Sequence, residues 1–175
     1  MTEGTLPPVP RPLKLLTASS LIMLLLLVGI NVPLVTADAP QGIISLQFAT
    51  TAEQTLNILN SWGSDNSHWA VASLALDFPF VLIYVLTLMA LTDYLMSDRP
   101  GIRERQAGRW VRGLFVAAGA SDLGENICLL TNLAEPDDAL SLAATVFAMI
   151  KFTALMIGVA GLVVIRAARR HPLSY

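Results

Sequence analysis

"ASDLGENICLL", residues 120–130, decides how this chain is read. Taken alone it suits a soluble helix, because Asp122, Glu125 and Asn126 fall at i, i+3 and i+4 and share one helical face. Its flanks point elsewhere. "GLFVAAG" precedes it at 113–119, and the apolar run resumes with Ile127 and continues to Leu130. Residues 111–130 therefore reach the length of about 20 residues that one bilayer crossing needs. Reading them as a span puts two carboxylates, one helical turn apart, where hydrocarbon makes charge expensive.

Three further segments meet the same length requirement: residues 15–35, 69–96 and 139–165. The composition agrees, with 54% hydrophobic and 14% charged residues among 175 and a mean hydropathy of +0.62. Apolar residues gathered in long runs distinguish a polytopic membrane protein from a soluble domain. The expected fold is all-α: a four-helix transmembrane bundle forming a single domain over 15–165, with short tails at 1–14 and 166–175. Arg11, Lys14 and the Ala37-Asp38-Ala39 triplet imitate a signal peptide. The first apolar run is too long for one, and Pro40 sits just after the imitated cut, so it reads as an uncleaved span.

Charge placement gives the orientation. Apart from Lys151, every Lys and Arg lies before the first span (Arg11, Lys14), around the second connection (Arg99, Arg103, Arg105, Arg109, Arg112) or after the fourth span (Arg166, Arg169, Arg170). The other two connections contain none. By the positive-inside rule both termini are expected in the cytoplasm. Trp62 and Trp69 then read as outer-interface aromatics, with Tyr94 and Trp110 at the inner interface. The basic connection is explained by topology and anionic headgroups, and no nucleic-acid partner is expected.

The first outer connection, residues 36–68, carries a helix of its own at about 51–62. Thr50 with Glu53 and Thr51 with Gln54 form two overlapping capping boxes. Ala52, Leu56, Leu59 and Trp62 recur at helical spacing, with Glu53, Asn57 and Asn60 opposite, and Gly63 is the expected stop. Such an amphipathic helix lies on the membrane surface or caps the bundle. It serves as a packed loop or as a lid carrying Glu53 over a site.

A rise of about 1.5 Å per residue assigns each polar group a depth. Asp77 lies roughly 13 Å in from the outer start of its span, Asp122, Glu125 and Asn126 roughly 7–13 Å, and Lys151 roughly 18 Å. Asn31 sits near the outer end of the first span. All four spans thus contribute to one polar layer, in which three acids face one lysine. Two arrangements satisfy that count. In one, Lys151 pairs with an acid while another keeps its proton, which sets a general acid beside a general base. In the other, Asp77, Asp122 and Glu125 bind a divalent cation with Asn126 as a further oxygen ligand; no other cofactor is expected. A third reading is structural, with the charges forming an interhelical network.

Pro79 in "LDFPF", residues 76–80, frees the carbonyl of Ala75 and is expected to kink the second span beside Asp77. Gly113, Ala117, Ala120 and Gly124, and Ala154 with Gly158, suit close helix approach. No phosphate loop, HExxH, GxSxG or histidine cluster is present in the sequence. Cys128 is the only cysteine, which excludes an intrachain disulfide.

With "LDFPF", "DLGEN" at 122–126 and a central lysine in the fourth span, the layout resembles small four-span inner-membrane proteins of bacteria. In layout it is also similar to compact VanZ-like membrane proteins associated with lipids. No VanZ-like site motif maps onto this chain, so the resemblance implies a bacterial origin and membrane embedding and assigns no site. The expected function is that of an enzyme working from the outer side on a lipid or lipid-linked headgroup. Asp122 and Glu125 would share the acid and base roles, Asp77 would assist or bind a cation, and Lys151 would stabilise anionic charge. Asn126, Asn31 and Glu53 are the candidate binding residues. The alternatives are a non-catalytic binding or assembly subunit and a proton- or cation-coupled transporter, the latter as a homo-oligomer. Membrane lipids are the expected partners.

Overall fold

A computed structural model describes residues 7–97 and 102–167. Over these residues the chain is helical, with no strand. In order come α1 (Arg11–Asn31), a 3-10 turn (Val32–Leu34), α2 (Ile43–Gln47), α3 (Ala52–Met96), α4 (Ile102–Ala134) and α5 (Asp138–Ala167). Helices α1, α3, α4 and α5 are long and apolar enough to cross a membrane, and the protein is an all-α bundle of four such helices. Of the basic residues used for orientation, Arg99, Arg169 and Arg170 lie outside the described residues.

Both described ends of the chain lie at one end of the bundle. Tyr94 Oη, near the end of α3, donates to Pro7 O at 2.7 Å. Met96 packs against Gly108 near the start of α4, and Val111 packs against Gly161 near the end of α5. The helix starts have local causes. Pro12 in the first turn of α1 has no backbone N–H to leave unpaired. Asp137 Oδ1 caps α5 by accepting from Ala139 N and Leu140 N at 2.8 and 3.0 Å.

The α4–α5 contact forms the centre of the bundle. Buried positions on α4 run Val111, Phe115, Ala118, Asp122, Glu125, Leu129 and Asn132. On α5 the buried set includes Ser141, Ala144, Ala148, Lys151, Gly158, Leu162 and Ile165. Steps of three and four residues describe a heptad-like seam, and the charged residues occupy core positions within it. The close approaches use glycines that are partly different from those expected. A Cβ on Gly158 would meet Phe115 at 2.5 Å, on Gly161 Val111 at 2.5 Å, and on Gly119 Val85 at 2.6 Å. Gly113, Ala117 and Ala120 instead face outward. Hydropathy establishes that a span exists, but the packed side of a helix depends on its neighbours.

At the opposite end α3 begins as a cap on the bundle. Thr51 Oγ1 accepts from Gln54 N at 3.2 Å, and Gln54 Oε1 reaches back to Thr50 N at 2.8 Å. The Thr51–Gln54 pairing thus forms, whereas Glu53 is exposed. The helix is interrupted at Gly63, at φ 60° and ψ −173°, a region open essentially to glycine. It resumes at once, so the stop is a break between two helical pieces and no loop separates 52–62 from the long span. Pro79 lies within the helical run, and Gly63 is the residue inside α3 with non-helical backbone.

The buried stripe of the capping piece is Thr55, Ile58 and Trp62, while Leu56 is exposed. Of the expected face, Trp62 is buried and Leu59 packs against the core, while Thr55 and Ile58 replace the exposed Leu56, and a polar knot explains the shift. Thr55 Oγ1 meets Ser141 Oγ at 3.0 Å, and Asn132 Nδ2 donates to Ser141 Oγ at 2.8 Å. A threonine on the inner side is tolerated because its hydroxyl is paired there. Trp62 is likewise not an interface aromatic: it is buried, and its Nε1–H donates to Leu34 O at 2.7 Å.

Candidate functional site: a charged core beside a lipid-side cleft

Lys151 is buried at the centre of the bundle, between the two acids of α4. Its Nζ lies 3.0 Å from Asp122 Oδ1 and 2.6 Å from Glu125 Oε2. Asp122 and Glu125 are 4% and 0% exposed, so all three charges are withdrawn from the surface. The spacing of the acids, i and i+3 on α4, lets one ammonium bridge both. The second oxygen of Asp122 accepts from Tyr84 Oη of α3 at 2.9 Å. Both oxygens of Asp122 are therefore engaged, one by α5 and one by α3. Glu125 Oε1 is buried and has no hydrogen-bond partner among the described residues.

Tyr84 was not among the expected site residues, although the sequence carried a signal for it. It lies seven positions after Asp77, on the same face of α3. A second aromatic, Phe152, places its ring centroid 4.7 Å from Lys151 Nζ, a favourable position for a cation.

Asp77 adjoins Asp122 without taking part in the ion pairs of Lys151. It is only partly buried, and Asn126 Nδ2 donates to its Oδ2 at 2.7 Å. Asn126 is fully buried, and its own Oδ1 has no partner among the described residues. Asp77 and Asn126 line a cleft of about 190 Å³ between α1, α2, α3 and α4. Gln47 and Ser73 add further polar lining. The remaining wall is apolar and includes Leu24, Leu27 and Val28 of α1. Leu24 and Val28 are 45% and 58% exposed, so on that side the cleft gives onto the surface that lipid would cover. Gln47 Oε1 is a second buried acceptor without a partner among the described residues.

Asn31 also lines the cleft, but both of its amide atoms are engaged in the connection that follows α1. Its Oδ1 accepts from Ile43 N at 2.8 Å and its Nδ2 donates to Gln41 O at 3.2 Å. It fastens α2 to the end of α1 and has a structural role. Glu53 is exposed at the start of α3 and is not among the residues that line the cleft.

The polar layer thus divides into two parts. One is a closed network of Asp122, Glu125, Lys151 and Tyr84. The other is an open cleft that contains Asp77 and Asn126. The cation lying between Asp122 and Glu125 is the ammonium of Lys151 itself. Among the described residues no group of three His, Cys, Asp or Glu side chains is placed to hold a metal ion. No protein-family model matches the chain, and neither does any curated protein or solved structure.

Proposed function

We propose that this is an integral membrane protein that binds an amphiphile, a lipid or lipid-linked molecule, in the cleft between α1 and α3. The polar end would meet Asp77 and Asn126, and the apolar end would lie along α1. One observation carries this reading: the cleft sets the polar residues Asp77, Asn126, Gln47 and Ser73 beside an apolar wall of Leu24, Leu27 and Val28 from α1. Ligand sites of this kind combine apolar lining with a few placed polar groups. Asp122, Glu125 and Lys151 then act as the interhelical network that holds α4 against α5.

Binding is favoured over group transfer by the position of the acids. Acid–base catalysis needs both partners within hydrogen-bond reach of the substrate. Of the three acids only Asp77 lines the cleft, while Asp122 already has both oxygens engaged. The setting we propose is a bacterial inner membrane with both chain ends in the cytoplasm. That orientation follows from the basic residues beside Met96 and after Ala167 and from their absence in the other two connections. The cleft would then open in the outer half of the bilayer.

The test is native mass spectrometry of protein extracted in a mild detergent, compared with Val28→Trp. Val28 is exposed at the mouth of the cleft, so the larger ring fills the cleft without entering the core. A retained amphiphile that disappears in the variant, at an unchanged thermal midpoint, supports the reading. Equal retention by both proteins refutes it.

A further inference from the structure

Counted as charges, the polar layer does not balance. Asp77, Asp122 and Glu125 bring three carboxyls and Lys151 one ammonium, so full ionisation would leave two negative charges over within the spans. No Lys or Arg is among the described residues that line the cleft. An uncompensated carboxylate in such surroundings takes up a proton rather than stay charged. The donors around each acid decide which one does so. Asp122 accepts from the Lys151 ammonium through one oxygen and from the Tyr84 hydroxyl through the other, and both favour its ionised form. Glu125 shares the same ammonium through Oε2, while its Oε1 is enclosed and without a hydrogen-bond partner among the described residues. Asp77 receives a neutral donor, Asn126 Nδ2, and the ion pairs among the described residues do not include it. It also lies within hydrogen-bonding range of Asp122. Two ionised carboxylates repel there and have no hydrogen to share, so the contact becomes a bond once one of them is protonated.

We infer that Asp77 is a proton-binding residue: it holds a proton directed at the Asp122 carboxylate and gives it up reversibly on the cleft side. Asp77 is the open member of the pair, being partly exposed, whereas Asp122, Glu125 and Lys151 are buried. The cleft beside it measures about 190 Å³, room for several waters at about 30 Å³ each. On release the O–H bond of Asp77 breaks, the proton passes to water and the electron pair stays on the carboxylate. The floor of the cleft then turns from neutral to anionic. The charged and titratable groups that act on Asp77 are Tyr84 on its own helix, Asp122 and Glu125 of α4, and Lys151 of α5. The cleft-lining residues of α1 and α2 carry no titratable group. Proton exchange therefore changes the charge that any occupant of the cleft meets, and it does not rest on the binding of an amphiphile.

The experiment is infrared difference spectroscopy on the full-length protein in a maltoside detergent, which has no carbonyl of its own. Spectra at about pH 6, where an unperturbed aspartate is already ionised, are compared with spectra at about pH 9. The expected result is a protonated-carboxyl band that is present at the lower pH, lost at the higher and regained on return. A heavy-carbon label in the side-chain carboxyl of every aspartate should displace the band, and Asp77→Asn should abolish it. The amide keeps the shape and offers Asp122 an N–H in place of the O–H, so the thermal midpoint should hold. If the variant fails to fold, the label still separates aspartate from glutamate in the wild type. Absence of a band at the lower pH overturns the inference, as does a band that ignores the label, which would assign the proton to a glutamate. A band that survives Asp77→Asn overturns it, and so does one that persists at the higher pH in the folded protein. Each of these results leaves amphiphile binding to its own test.

Discussion

Asn126 Nδ2 donates to Asp77 Oδ2 at 2.7 Å, and this bond joins the two halves of the polar layer. Asn126 lies four residues after Asp122 on α4, so one helical turn separates the closed charge network from the cleft. The first two predictions below address the closed network.

Lys151→Met leaves Asp122 and Glu125 in the core with no cation between them. Removing one partner of a buried ion pair typically costs about 3–5 kcal/mol. The thermal midpoint in detergent should fall sharply, and the triple variant Lys151→Met, Asp122→Asn, Glu125→Gln should recover much of the loss. A Lys151→Met protein that melts with the wild type would show that the network does not hold the helices together.

Tyr84→Phe removes the hydroxyl that donates to Asp122 and keeps the ring. A buried acceptor left unpaired costs about 1–3 kcal/mol. In a double-mutant cycle with Asp122→Ala the two losses should not add, because both remove the Tyr84–Asp122 bond. Simple additivity would mean that the contact contributes nothing.

Gly42→Ala should loosen the connection between α1 and α2. Gly42 has φ +61°, and a Cβ there would lie 2.2 Å from Asn31 Oδ1, the atom that receives the Ile43 amide. Left-handed strain and a displaced cap together cost about 1–3 kcal/mol. Hydrogen exchange at Ile43 is the direct readout and should accelerate. Unchanged protection there would remove Asn31 as the fastener of α2.

Two glycines in the bundle should behave oppositely when replaced. Gly158→Val pushes a side chain into Phe115, 2.5 Å from the first added carbon, and overpacking of this kind costs about 1–3 kcal/mol. Gly113→Ala meets nothing within 4 Å and gains up to about 1 kcal/mol of helix propensity. Melting curves of the two variants decide the matter. A destabilised Gly113→Ala would mean that this face is packed against a further copy of the chain.

The spans were legible because bilayer thickness sets a length that 20 apolar residues either reach or miss. The acids of α4 were legible because few sequences place carboxylates in such a run. Rotation was much harder to read. In α4 the packed side carries Asp122, Glu125 and Asn132 while the outer side is apolar, so periodicity alone does not say which side faces inward. In α3 the same difficulty put Leu56 on the expected apolar face, where the packed stripe is Thr55, Ile58 and Trp62. Tyr84 and Gln47 were missed for a related reason. Each gains its role from a partner on another helix or from a cleft that several elements build, and such neighbours are brought together only by folding.

The central claim is that an amphiphile sits in the cleft beside Asp77. Photo-crosslinking tests it most directly, using a phosphatidylethanolamine analogue with a diazirine next to the headgroup, followed by peptide sequencing of the labelled protein. Labels concentrated at residues 24–31, 43–47 and 73–77 would be the predicted result. Labels spread over the lipid-facing side of α5, around Met156 and Val163, with none in the cleft, would contradict it.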